Sequence, residues 1–185
     1  MELLIDNREK IKNNFNSEYN IIFKNLDLGD YILKYNNNII LIIERKTTED
    51  YASSIKDGRY REQKLRLINN YPKNKILYLI EGDLTCDNNS YRYNKVSKDT
   101  IVSSITNTLL RDNIHVFHTH NSLETIFFIE SMYRKIAKKG IQFMNNTPDY
   151  IDSLTNSVKI KKKSNMDRDI CQQLILQTIP GISKK

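Results

Sequence analysis

Apolar and polar residues alternate along the first 140 residues in a pattern of short strands and amphipathic helices. Ile39–Ile43 is an uninterrupted apolar run, and Ile76–Ile80 is another, as in strands that are covered on both faces. Asn36–Asn38 predicts a hairpin turn before the first of these runs. The same pattern predicts further strands at 3–5, 21–23, 31–33 and 114–118. We expect the strands up to residue 43 to form a meander.

Four helices are predicted from apolar residues at helical spacing. Thr47 can cap the first, with Asp50 three residues later, and this helix ends near Gly58. The others run from about 59 to 72, from about 98 to 111, and from about 121 to a point before Gly140. Strands and helices that alternate in this way predict an α/β domain with three layers.

Order signals fade after residue 141. Residues 143–165 are polar and include the lysine-rich stretch Lys159–Lys163, which favours a basic flexible linker. The lysines could contact phosphates or serve as a nuclear address, and a solubilising role is equally compatible with them. A last short helix is predicted from Met166 to Gln177.

Composition narrows the class of protein. The formal net charge of +7 and the pI of about 9.3 favour a polyanionic partner such as nucleic acid. Cys86 and Cys171 are the only cysteines, so neither a disulfide framework nor a cysteine metal site is indicated. Without a long apolar run or a basic leader, we expect an intracellular protein that is neither secreted nor bound to a membrane.

Candidate chemistry follows the apolar run that ends at Ile43. The next residues are Glu44, Arg45 and Lys46, and buried charges are costly unless they are paired or bound to metal. Side chains alternate along a strand, so Glu44 and Lys46 should share one face while Arg45 lies on the other. An acid and a lysine, together with an acid from upstream, suit metal-assisted phosphodiester hydrolysis.

Other acids lie at the ends of predicted elements, where the ligands of open α/β sheets gather. They are Asp6, Asp30 and Asp50. Asp50 could instead serve only as a helix cap, and Asp30, which follows Gly29, could be a plain turn residue.

A basic segment lies on the second predicted helix. Arg59, Gln63 and Arg66 fall on one helical face, spaced to meet a phosphate backbone or to orient a carboxylate. A solvated charged face is the alternative. His115, His118 and His120 are better explained as exposed edge residues than as a zinc site, because no fourth ligand has suitable spacing.

Taken together, these motifs resemble the XPF/Mus81 (ERCC4-type) structure-specific DNA endonucleases. The resemblance runs in order through residues 2–140, and its last stretch is similar to the Mus81 branch. The matching segments are Ile5–Glu9, Gly29–Tyr31, Glu44–Lys46 with Asp50, and Ser54–Lys64.

The resemblance implies a restriction-endonuclease-like nuclease domain at 1–142, with three layers and a central mixed sheet. Asp30, Glu44 and the Arg45 backbone would bind Mg²⁺ or Mn²⁺, and Lys46 would assist the attacking water. The remaining acids, Asp6, Glu9 and Asp50, would complete the site. The residues expected to contact DNA are Arg59, Arg61, Gln63, Lys64, Arg66 and Gly181.

The resemblance also implies the substrate and the partners. Such enzymes cut one strand of branched duplex DNA at a 3′ flap, fork or bubble, in repair or recombination. They pair two subunits, and we expect a homodimer or heterodimer through the helices around 98–111 and 121–139. The wide apolar face at Phe127–Ile129 supports this. A non-catalytic DNA-binding or dimerisation subunit of the same fold is the alternative.

The C-terminal residues 166–185 resemble the start of a helix-hairpin-helix module. Pro180–Ile182 would be its first hairpin, with Gly181 contacting phosphate, although a helix stop of the ordinary kind has the same residues. Because the sequence stops at Lys185, we expect the module to be truncated or vestigial. A nuclease of this kind implies the nucleus or another DNA-containing compartment.

Overall fold

The computed structural model describes residues 1–84 and 96–144, together with Arg168, Gln172, Ile175 and Leu176. The chain divides into two compact units, Met1–Met144 and Asn145–Lys185. The four positions described in the second unit are helical and exposed. The predicted linker beyond residue 144 and the predicted DNA contact at Gly181 lie outside the described residues.

The first unit is built on a mixed sheet of six strands. Its order is β2-β1-β3-β4-β5-β6, in which β1 pairs antiparallel with β3, and β3 antiparallel with β4. The β1–β2, β4–β5 and β5–β6 pairs are parallel. The strands are β1 (Glu2–Asp6), β2 (Ile21–Lys24), β3 (Tyr31–Tyr35), β4 (Asn38–Thr47), β5 (Ile76–Glu81) and β6 (His115–Thr119).

Helices cover both faces of this sheet. On one face Tyr51, Tyr60 and Ile101 pack on the sheet, and on the other Ile129 and Ile136 do so. The helices are α1 (Thr48–Lys56), α2 (Arg59–Asn70), α3 (Lys98–Thr106) with a π-helical turn at Asn107–Arg111, and α4 (Ser122–Met144). The predicted three-layer α/β architecture is therefore confirmed. No helix within the described ranges is long and apolar enough to cross a membrane.

The predicted meander is wrong at its first two strands. β2 lies at the outer edge of the sheet and runs parallel to β1, with Leu3 opposite Ile21. Residues 7–20, which include the 3₁₀ turn Lys12–Asn14, carry the chain back to the end at which β1 began. A return of this kind makes the second strand parallel to the first.

The prediction that the fourth helix ends before Gly140 is confirmed for its regular part. Lys139 has non-helical backbone angles (φ −133°, ψ 26°), and a second helical segment of α4 continues beyond this kink to Met144. A Cβ atom at Gly140 would lie 2.4 Å from a ring carbon of Tyr35. This glycine therefore also allows close packing of α4 on the sheet.

Candidate active site

The β3–β4 hairpin brings Asp30 next to the end of β4. Asn36 and Asn37 both have positive φ (48° and 63°), as a tight two-residue hairpin turn requires. The Asp30 N–H donates to the Ile43 carbonyl at 2.8 Å, and the Arg45 N–H donates to Asp30 Oδ2 at 2.7 Å. These hydrogen bonds place Asp30 next to the part of β4 that carries Glu44, as the sequence predicts.

Gly29 makes the approach of Asp30 to β4 possible. Its φ is +76°, and a Cβ atom there would lie 2.6 Å from Ile42 Cγ2. Any other residue would combine an unfavourable backbone conformation with a collision against β4. The glycine before Asp30 is therefore part of the site's construction and not only a turn residue.

Glu44 lies at the floor of the site with only 2% of its surface exposed. Its Oε1 accepts hydrogen bonds from Gln63 Nε2 at 2.6 Å and from Lys46 Nζ at 3.2 Å. Its Oε2 is buried and has no hydrogen-bond partner. Helix α2 and strand β4 thus fix one carboxylate oxygen and leave the other free for a ligand.

The two acids share an environment that disfavours their ionised forms. Burial, followed by the carboxylates of Glu44 and Glu9, raises the pKa of Asp30 well above its usual value. Burial also raises the pKa of Glu44, although Lys46 and Gln63 oppose the change. A cation between the two carboxylates would relieve both their desolvation and their repulsion.

The donor set fits a hard divalent cation. No group of three or more His, Cys, Asp or Glu side chains suited to a metal occurs in the described parts of the chain. Asp30 and Glu44 therefore supply two carboxylates, and backbone, water or phosphate oxygens would have to complete the coordination. Mg²⁺ is commonly held in this way, by one or two carboxylates together with waters and substrate phosphate. The unpaired Oε2 of Glu44 is the structural feature that fits such an ion.

A cleft of about 380 Å³ opens above these acids. Most of the predicted site residues line it together, namely Asp30, Glu44, Arg45, Lys46, Asp50, Arg59, Gln63 and Arg66. Arg8 also lines the cleft and was missed as a site residue. The sequence feature that could have identified Arg8 is its position two residues after Asp6, just beyond the end of the same strand.

Asp50 combines the cleft position with the capping role that the sequence left open. Its N–H donates to Thr47 Oγ1 at 3.1 Å, and the Thr47 hydroxyl donates to Asp50 Oδ2 at 2.9 Å. The residue is exposed at the start of α1. The capping hydrogen bonds are therefore compatible with a position of Asp50 in the cleft lining.

Asp6 and Glu9 do not line this cleft. Arg8 donates to both carboxylate oxygens of Asp6, and the Leu26 N–H donates to Oδ2 at 2.8 Å. The hydrogen bonds from Arg8, chief among them that of its side chain, hold the pKa of Asp6 well below the usual range. Glu9 Oε2 accepts from the Tyr31 hydroxyl at 2.8 Å. The structure thus places both acids in contacts that stabilise the loop after β1.

The Arg45 side chain lies on the opposite face of the sheet from Glu44, as the strand alternation predicts. Its Nη2 and Nε donate to Glu81 at 2.6 and 2.8 Å, and its Nη1 donates to Glu9 at 3.2 Å. The Thr125 hydroxyl of α4 also donates to Glu81, at 2.6 Å. Arg45 can therefore serve the cleft only through its backbone.

Two of the predicted DNA contacts are placed elsewhere. Lys64 is 8% exposed, and its Nζ donates to Asp112 Oδ2 at 2.6 Å and to Thr108 Oγ1 at 3.2 Å. The prediction of a DNA contact for Lys64 is therefore corrected to an internal ion pair. Arg61 lines a separate cleft on the other side of α2. Helical periodicity places both residues away from the face that carries Arg59, Gln63 and Arg66.

Known proteins are similar to this chain over the segment that contains the cleft residues. The family model described as "ERCC4 domain" matches residues 5–132. A protein named "Probable crossover junction endonuclease mus81" from Dictyostelium discoideum is 32% identical over 182 residues, covering 89% of this chain and 18% of that protein. The "ERCC4 domain-containing protein EP364R" of African swine fever virus (isolate Tick/Malawi/Lil 20-1/1983) is 31% identical over 120 residues, covering 64% and 31%.

Solved structures agree with this relationship. "XPF from Aeropyrum pernix, complex with DNA" superposes with a TM-score of 0.61 at 25% identity, covering 98% of this chain and 76% of that chain. The chain spans about a third or less of the length of the curated relatives described above. The family match covers most of the chain and contains every residue that lines the cleft. This chain therefore belongs to the ERCC4 domain family, the family of the XPF and Mus81 nucleases.

Proposed function

We propose that this chain is a metal-dependent, structure-specific DNA endonuclease that cuts one strand of branched DNA. The observation that carries the proposal is the buried Glu44 carboxylate, whose Oε2 has no hydrogen-bond partner and which lines, together with Asp30, a cleft with a basic rim. Acids that hold a cation under a positively charged rim are suited to a phosphodiester substrate.

The cation would be Mg²⁺ or Mn²⁺, held by Asp30, Glu44 and the backbone carbonyl of Arg45. When bound, such an ion polarises the phosphate and supplies a water of lowered pKa. Gln63 keeps the Glu44 carboxylate in place through the hydrogen bond to Oε1. The Arg45 N–H does the same for Asp30.

Lys46 is the cationic group nearest to the reacting centre in this scheme. Its ammonium lies 3.2 Å from Glu44 Oε1 and its side chain is 13% exposed, so Lys46 is both held and largely shielded from solvent. From this position it would orient the attacking water and stabilise negative charge that develops on the phosphate. Asp50, at the start of α1, would add a further acid at the cleft wall.

The basic rim would position the DNA backbone. Arg59 and Arg66 are exposed on the α2 face that borders the cleft, and Arg8 borders it from the turn after β1. Contacts of this type fix the register of the duplex without reading its sequence. Gly181, in the predicted helix-hairpin-helix segment, would add a phosphate contact.

The branched substrate is proposed from the relatives. The Dictyostelium protein and others in plants and yeast are named crossover junction endonucleases, and the solved archaeal XPF structure is a complex with DNA. We therefore propose 3′ flaps, forks or bubbles as substrates, and repair or recombination as the process. The nucleus, or another compartment that holds DNA, would be the site of action.

Exposed apolar side chains support a subunit interface. Leu110 beyond α3 and Leu123 and Phe127 on α4 are 74%, 73% and 65% exposed. Phe128 instead stacks on Phe117 at a ring-centroid distance of 3.9 Å, and Ile129 is fully buried. Of the predicted interface residues Phe127–Ile129, Phe127 is therefore the one we retain. We propose that this apolar surface pairs the chain with a second copy or a related subunit.

The same surface supports the second candidate, a non-catalytic subunit that binds DNA and dimerises. Such a subunit would bind junctions in EDTA and cut none of them with any metal. The intact set of Asp30, Glu44 and Lys46 in one cleft favours the catalytic reading.

Cleavage of end-labelled branched DNA tests the proposal. Wild type, Asp30→Asn and Glu44→Gln are incubated with 3′-flap, fork, bubble and linear duplex DNA, with Mg²⁺ or EDTA. We expect Mg²⁺-dependent cuts near the junction and a loss of about 100-fold or more in both variants. Glu62→Gln, the same chemical change at an exposed α2 position, is the control and should cut like wild type. Identical products from wild type and Glu44→Gln would show that the site is wrong.

A further inference from the structure

Two buried side-chain atoms stand out in the part of the chain that the structure describes. They are Glu44 Oε2 and the Tyr78 hydroxyl, the two buried side-chain polar atoms there that lack a hydrogen-bond partner. Tyr78 is 1% exposed and Glu44 is 2% exposed. A buried polar atom without a partner costs free energy, so the presence of two in one region calls for a physical reason.

The two residues are neighbours across the sheet. Glu44 of β4 and Tyr78 of β5 are register partners in a parallel ladder, and adjacent strands lie about 4.8 Å apart. Ile42, which is on the same face as Glu44, and Tyr78 belong to one buried cluster beneath α1 and α2. Both side chains therefore project from the same face, toward the helices that border the cleft.

The tyrosine is fixed in place and can act only as a donor to a carboxylate. Its ring packs edge-on against Tyr60 at a centroid distance of 5.4 Å, and Tyr60 packs in the same way against Tyr51 at 4.8 Å. Burial, followed by the nearby Glu44 charge, raises the pKa of Tyr78, so its hydroxyl keeps the proton. A carboxylate oxygen has two lone pairs and can bind a cation while it accepts one hydrogen bond.

We propose that Tyr78 is a positioning residue for Glu44. Its hydroxyl donates a hydrogen bond to Glu44 Oε2 when the carboxylate rotates to hold a divalent cation. Gln63 of α2 and Lys46 of β4 then fix Oε1, and Tyr78 of β5 fixes Oε2. The inference rests on the proposed function, and it explains why both unpaired atoms occur at this site.

The test compares Tyr78→Phe with Tyr51→Phe. Each change removes one buried hydroxyl from the same aromatic cluster, but the Tyr51 hydroxyl pairs with Ser104 at 3.0 Å, away from Glu44. Mg²⁺ affinity is measured by calorimetry on cation-free protein, kcat and KM on a labelled flap, and unfolding midpoints in EDTA. Tyr78→Phe should weaken Mg²⁺ binding about tenfold and lower kcat with KM for DNA unchanged. Its midpoint in EDTA should be equal to or above that of wild type.

Tyr51→Phe should show the opposite pattern, with wild-type Mg²⁺ affinity and a lowered midpoint. Wild-type Mg²⁺ affinity in Tyr78→Phe overturns the inference, and so does a lowered midpoint with unchanged kcat, which would mark a purely structural role. A wild-type protein that binds no Mg²⁺, or binds it as well after Glu44→Gln, overturns the proposed function and this inference together. Cleavage and Mg²⁺ binding that depend on Glu44 but not on Tyr78 overturn the inference alone.

Discussion

The Arg45 N–H donates a hydrogen bond to Asp30 Oδ2 at 2.7 Å, while the Arg45 side chain pairs with Glu81 on the other face of the sheet. One residue therefore connects two layers of the domain. Its backbone N–H holds Asp30 in the cleft, and its guanidinium ties β4 to Glu81 of β5, which in turn accepts a hydrogen bond from Thr125 of α4. The charge of Arg45 thus pairs with acids on the face away from the cleft, and its backbone N–H positions Asp30.

Arg45→Met should destabilise the domain. The change leaves Glu81 and Glu9, both nearly buried, without their shared cation, and breaking such a buried pair costs about 3 kcal/mol or more. Urea unfolding in EDTA measures the loss. Arg59→Met is the control and should lose little stability, because the arginine in its pair with Asp57 is 66% exposed and water screens the pair. Equal losses in the two variants would contradict the role assigned to Arg45.

Local rules predicted most of the site from sequence. Alternation along β4 placed Glu44 and Lys46 opposite Arg45, and the Thr47 cap placed the start of α1. Each depends on residues a few positions apart, so the physical cause is contained in the local pattern. The Gly29–Asp30 turn belongs to the same class, because a positive φ favours glycine.

Long-range contacts explain what the sequence did not reveal. Lys64 belongs to a charged segment, but its partner Asp112 lies on a distant part of the chain. The parallel direction of β2 depends on the path of residues 7–20, and Gly140 packs against Tyr35 of the sheet. No local periodicity contains these partners, so the DNA contact expected at Lys64 and the expected meander both differ from the structure.

Two of the basic residues of α2, Lys64 and Arg66, should behave differently when replaced. Lys64→Met removes the internal partner of Asp112 and should lower stability by about 2 kcal/mol while leaving DNA affinity unchanged. Arg66→Ala should leave stability within about 0.5 kcal/mol and reduce the salt dependence of DNA binding by about one counterion. Fluorescence anisotropy at several salt concentrations and urea unfolding separate the two effects. Weaker DNA binding by Lys64→Met, at wild-type stability, would contradict the internal role and support a DNA contact for Lys64.

A subunit interface through α4 should depend on Phe127. Light scattering at tens of micromolar, where weak interfaces are still populated, should give the mass of a dimer for wild type. Phe127→Glu should give a monomer, because a charge at this 65% exposed apolar position cannot be buried without cost. Leu65→Glu, at a 59% exposed position on α2, is the control and should remain dimeric. A monomeric mass for wild type throughout this range would rule out the homodimer.

Removal of one acid should stabilise the cation-free protein. The pKa of Asp30 is raised in the folded state, so ionisation disfavours folding, and stability is lost as pH rises from the usual carboxyl pKa through the raised value. In EDTA at neutral pH, the free energy of unfolding of Asp30→Asn should therefore be about 1–2 kcal/mol higher than that of wild type. Mg²⁺ should stabilise wild type but not the variant. A variant that is less stable than wild type in EDTA would contradict the assigned repulsion.

Binding of Mg²⁺ should release protons. Burial raises the pKa of both Asp30 and Glu44, and a cation binds the ionised carboxylates, so affinity should increase as pH rises through the raised pKa values. Calorimetric titrations with Mg²⁺ in two buffers of different ionisation enthalpy measure the protons released at each pH. The number should decrease toward zero above the raised pKa values and should be smaller in Asp30→Asn. Proton release that is independent of pH and identical in the variant would place the cation elsewhere, because the carboxylate lost in Asp30→Asn would then take no part in binding.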